Sequence, residues 1–105
     1  MKALHIDPVA MQVLEVDINP DDLLTDLYRL IGCRQVQGVF PAPDVMIYVD
    51  EDGGLKSRQS GFTYTGLSFP VHGAAVVVGP LTDDGSDTAV AVSVAAVSAA
   101  IRWVP

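Results

Sequence analysis

The spacing of apolar residues changes several times along the chain, and each change marks an element. KALHI is a short apolar run closed by Asp7-Pro8; the residue before a proline avoids the helical region, so a strand ends there. In MQVLEVD, Met11, Val13 and Val16 are set against Gln12, Glu15 and Asp17, which predicts a second strand, antiparallel to the first through a turn at residues 7–10. The period then becomes helical. Leu23, Leu24, Leu27, Leu30 and Ile31 recur at i, i+3 and i+4 spacing. Asn19 is a good N-cap, Pro20 suits the first helical position, and Asp21 and Asp22 meet the positive end of the helix dipole. Gly32 supplies the left-handed stop, so the spacing predicts a helix over about residues 20–31 that lays its leucine face on a sheet.

Beyond the helix, RQVQGVF is a strand ended by PAPD, and DVMIYVD is a stronger one, rich in Val, Ile and Tyr. Residues 50–54 form a turn of hairpin type. GFTYTGLSF has strand-like residues but two glycines and a trailing proline, which suits an irregular or edge strand. The continuous run GAAVVVG is a central strand, LTDDGSD a polar turn, and TAVAV a last strand. Ser93 caps a short helix over Val94, Val97 and Ile101, with Trp103 packing near the end. The sum is one small α+β domain: a mainly antiparallel sheet, one main helix packed on it and a short C-terminal helix. One good helix covers one face. The other face is expected to be solvated or to meet a second copy, and a homodimer through that face or through a strand edge would bury the excess valine.

The chain of 105 residues is long enough to bury a core without staples. Half of it is hydrophobic, mostly Val and Ala, and only 7% is aromatic, which argues against a stacking platform for nucleic acid. Net charge is −7 and the six cations are scattered, so there is no basic stripe to track phosphates and no direct binding of nucleic acid is expected. A single cysteine forms no internal disulfide, the N-terminal MKALHIDP lacks the apolar stretch of a signal peptide, and TAVAVSVAAVSAAIRWVP falls short of a membrane span. The expectation is a soluble, cytoplasmic protein with no membrane partner.

Familiar chemistry finds little support. His5, Asp7 and His72 lie on separate elements without the spacing of a metal site, so no metal is expected and His5 is assigned a structural role on its strand. Cys33 follows the helix stop, where the negative end of the dipole opposes a thiolate, which makes it a poor nucleophile. The clusters DEDGG and DDGSD lack the twelve-residue calcium-loop pattern and are turns. GLKSRQSG lacks the spacing and the following helix of a phosphate loop. No catalytic set and no cofactor motif emerges, so the protein is expected not to be an enzyme and to need no cofactor.

One stretch stands apart. DEDGGLKSRQSGFTYTG holds Lys56 and Arg58, the only near-adjacent cations of an acidic chain, beside Ser57, Gln59, Ser60 and Tyr64. It is either a solvated hairpin tip, with its cations paired to Asp50, Glu51 and Asp52, or a loop that takes an anion or a carboxylate-bearing partner. On the second reading Lys56 and Arg58 make charge contacts while Gln59 and Tyr64 orient the partner. Three functions follow: protein–protein binding at this loop, binding of a nucleotide or other small anion there, or acidic mimicry of DNA if Asp21, Asp22, Asp26 and the turn acids line one face.

The order of KALHIDP, LEVDI, a helix ending in IGC, VMIYVDEDGGL, SRQSG and HGAAVVVG resembles a family of small, functionally uncharacterised proteins of bacteria, phages and plasmids that carry one domain of unknown function. The resemblance covers residues 1 to about 90. Members often carry an Asn-Arg pair in the polar loop, where this chain has Lys56, Arg58 and Gln59. The resemblance carries no activity over. It implies an accessory role in a mobile element, and with it interference with a host protein.

Overall fold

A computed structural model describes residues 1–53 and 60–104. Its elements begin with a hairpin of β1 (Lys2–Asp7) and β2 (Gln12–Asp17), paired from Lys2 with Asp17 to Asp7 with Gln12. The Asp7 carboxylate closes the turn by accepting from the backbone N–H groups of Val9 and Ala10 at 3.1 and 3.2 Å.

The main helix is divided. Asn19 caps a 3-10 turn, Pro20–Asp22, by accepting from the Asp21 N–H, and α1 proper runs Leu23–Ile31. Asp22, at φ −143 and ψ 50, breaks the helical geometry between the two. Gly32 ends α1 at φ 75, and its N–H donates to the Tyr28 carbonyl at 2.9 Å, the left-handed cap that its lack of a Cβ permits.

After α1 come β3 (Val36–Ala42), β4 (Val45–Asp50), β5 (Gly61–Tyr64), β6 (Val71–His72), β7 (Ala75–Val78), α2 (Val94–Ala100) and β8 (Ile101–Val104). A five-stranded antiparallel sheet has the order β2-β1-β7-β4-β3, and a three-stranded one the order β6-β5-β8. Strand period explains the layering. On β7, Val76 and Val78 meet Leu27 and Ile31 of α1, while Ala75 and Val77 face Phe62, Tyr64 and Ile101 of the small sheet. A strand buried on both faces is continuously apolar, and β7 is central as its sequence requires.

The second face of the large sheet is therefore neither solvated nor left for a partner copy. The small sheet and Val97 of α2 cover it, which removes the free face as a reason for dimerisation. Two further expectations change. GFTY is the middle strand of the small sheet rather than an edge, because Gly61 lets its backbone come so close to the Val71 carbonyl that a Cβ would collide with it. TAVAV is not a strand. Both edges of β1 are already taken by β2 and β7, so the segment gains only the Val90 N–H bond to the Lys2 carbonyl and packs Val90 and Val92 on the core. Ser93 does cap the C-terminal helix by accepting from the Ala96 N–H at 3.1 Å, but that helix ends at Ala100 and the final strand is β8.

Candidate functional site

β4 runs out at Asp50 and β5 begins at Gly61, so both ends of the polar stretch leave from the same end of the sandwich. Lys56, Arg58 and Gln59 lie outside the described residues. Their anchors are well defined. Asp50 is buried and accepts from the Asp52 N–H at 2.9 Å, Gly53 is buried against the His72 backbone, and the Ser60 carbonyl accepts from the Gly73 N–H at 2.8 Å.

Around these anchors the surface is concave. A cleft of 190 Å³ is lined by Gln37, Asp50, Glu51, Phe69 and His72 among others. A depression of 410 Å³ shares Asp50 with it and adds Tyr28, Cys33, Arg34 and Asp52 from the end of α1 and the turn after β4. A third, of 300 Å³, lies between the β1–β2 turn at Pro8 and Val9 and the chain at Ser60 and Gly73. The described charges of this end are Asp7, Asp50, Glu51 and Asp52 against Arg34.

Tyr64 is not part of this surface. It points into the core from the far end of β5, 8% exposed, and burial, with a smaller contribution from the Asp44 carboxylate, pushes its hydroxyl pKa up. The structure thus separates Tyr64 from the polar loop, because Phe62 and Tyr64 share the inward face of β5. His5 is a structural histidine: its Nε2 donates to the Leu30 carbonyl at 2.9 Å and ties β1 to the end of α1. No three metal-ligating side chains gather among the described residues.

Most acids outside this end serve local geometry. Asp26 accepts from the Asn19 N–H at 2.7 Å and from Arg29 at 3.3 Å, and the first of these bonds does most to hold its pKa low. The hydrogen bonds from Thr82 and Ser86 do the same for Asp84. Asp87 accepts from the Tyr48 hydroxyl, whose pKa is pushed well above the ordinary phenol value by burial first and by this carboxylate second.

Gln37, Phe69, His72, Tyr28 and Arg34 carry no local signal of belonging together, since they come from four parts of the chain that only the sheet order brings to one end. What fold and surface define is a small α+β sandwich with a concave, mixed-charge end and no helix among the described residues long and apolar enough to cross a membrane. The chain belongs to the family described as a domain of unknown function (DUF3846), whose family model matches residues 1–98. No curated protein and no solved structure matches it.

Proposed function

We propose that this domain is a non-enzymatic binding module that captures another protein at the end of the sandwich where Gly53 and Ser60 lie. The observation that carries the reading is the junction of two depressions at Asp50, rimmed by carboxylates, Arg34, the Gln37 amide, the His72 imidazole and the exposed ring of Phe69. Such a surface combines an exposed aromatic ring with charged and polar groups, a composition suited to recognition of a partner. On this reading Lys56 and Arg58, which lie outside the described residues, supply the charge contacts. In the mobile-element context that the resemblance implies, the partner is a host protein, met in the cytoplasm.

Replacing Lys56 and Arg58 together by Ala tests the assignment. The double variant should lose capture of the partner from cell extract and melt at the wild-type temperature. Full retention of capture refutes it.

The 410 Å³ depression lies in the range that holds small ligands, which favours a small-molecule site as the second reading. A rise in melting temperature with a nucleotide or another anion, abolished by the same double substitution, would select it over protein capture. DNA mimicry is the least supported. Asp21 and Asp22 open the main helix, whereas Asp50 and Asp52 lie beyond its far end, and Asp26 and Asp84 are engaged in their own turns.

A further inference from the structure

β3 is the outer strand on one side of the large sheet, and its backbone is presented for pairing. The Glu51 N–H donates to the Gln35 carbonyl at 3.1 Å, which makes Gln35 and Glu51 a hydrogen-bonded pair. In an antiparallel ladder such pairs alternate, so Gln37 and Val39 face β4 through Val49 and Ile47. The N–H and C=O groups of Val36 and Gly38 are left pointing away from the sheet. Exposed strand edges of this kind are ordinarily blocked. The opposite edge, β2, carries such a block in Glu15 and Asp17. β3, VQGVFPA, carries no charge, exposes the backbone at Gly38 and leaves the Phe40 ring 56% exposed.

We infer that this edge pairs with the same edge of a second copy, antiparallel about a two-fold axis at Gly38. Self-association of a chain with net charge −7 is opposed everywhere by like charge, and least at an uncharged strand. The register is self-complementary. Val36 of one copy falls opposite Phe40 of the other, an aliphatic–aromatic pair on the helix side of the sheet, which covers that ring. Beyond each end of the paired segment, Arg34 of one copy and Asp44 of the other bring an exposed cation and an exposed anion to the same end of the seam. The register shift between Val39 and Ala42, together with Pro41, stops the pairing after Phe40. With β2 blocked, the contact closes on itself as a dimer and does not propagate.

Sedimentation velocity over a wide concentration series, with hydrogen exchange on the same samples, tests this. The mass should double with concentration while the Val36 and Gly38 amides become protected. Phe40→Lys sets a cation at both ends of the seam and should weaken association at least tenfold with an unchanged circular dichroism spectrum. Arg34→Asp should weaken it also, and Asp44→Arg added to Arg34→Asp should restore it. A monomer at every concentration overturns the inference, as does a dimer that withstands Phe40→Lys or one in which the Gly38 amide exchanges as fast as at high dilution.

Discussion

Replacing Phe62 with Ala should cost this domain a large part of its stability, and the cost can be worked from the packing. The ring is fully buried between the two sheets, and its centroid lies 6.4 Å from that of Trp103 at an interplanar angle of 72°, an edge-to-face pair. Truncating a buried Phe to Ala removes about 3–5 kcal/mol, the spread reflecting how far the site collapses. A domain of this size has about 5–15 kcal/mol in total, so the variant retains only a fraction. At about 5 °C per kcal/mol, the melting temperature should fall by about 15–25 °C. Trp103 is the only tryptophan, so urea melts followed by its fluorescence report on β8 directly, and circular dichroism reports on the whole fold. In a double-mutant cycle with Trp103→Ala, the edge-to-face geometry should appear as a coupling of about 1 kcal/mol. The pair also joins the span matched by the family model to β8, which lies outside it. A loss under about 1 kcal/mol for Phe62→Ala would refute the placement of this ring in the central core. Strict additivity in the cycle would refute the Phe62–Trp103 contact while leaving the core intact.

Two further outcomes follow from other parts of the fold. Gly61→Ala should destabilise by about 3 kcal/mol or fail to fold, since its Cβ meets the Val71 carbonyl, whereas Gly32→Ala, with nothing within 4 Å, should lose only about 1 kcal/mol to its left-handed φ; chemical denaturation of both tests the order. Stability should fall at alkaline pH. The Tyr48 hydroxyl titrates higher in the folded state than its ordinary value of 10.0, so its contribution is complete below pH 10 and is lost as pH rises toward the folded value, and Tyr48→Phe should flatten the decline in melting temperature above pH 10.

Local chemistry made much of the fold legible. Asn19, Gly32 and Ser93 each act where their side-chain oxygen or missing Cβ suits a helix end, and the structure uses all three. The β1–β2 hairpin and the central place of β7 also follow from periodicity, because alternation and unbroken apolar runs record how many faces of a strand are covered. The second sheet was not legible. GFTY has only four residues and meets β8 from nearly forty positions away, so nothing near Phe62 reports that Trp103 will lie across from it. Valines in TAVAV satisfy a strand propensity, yet propensity cannot express that both edges of β1 are already occupied.

The surface was legible to a different degree. Polar composition points to residues 50–66, and depressions lie at both described parts of that stretch, at Asp50, Gly53 and Ser60 and again at Thr63–Gly66 beside Arg102. Tyr64 was misjoined because sequence distance cannot tell a loop residue from one four positions along a strand, where the side-chain period alone decides between solvent and core. Gln37 shows the same limit from the other side. It reads as one polar residue among several, and only the β3–β4 register sets it beside Val49 at the wall of the cleft. That register also aims the main chain of Val36 and Gly38 outward. The uncharged β3 edge and the mixed-charge cleft are therefore adjoining consequences of one strand pairing, and substitutions on the two sides of β3 should separate them. Phe40→Lys perturbs the edge from the helix side, whereas exchange of Gln37 alters the cleft from the other side.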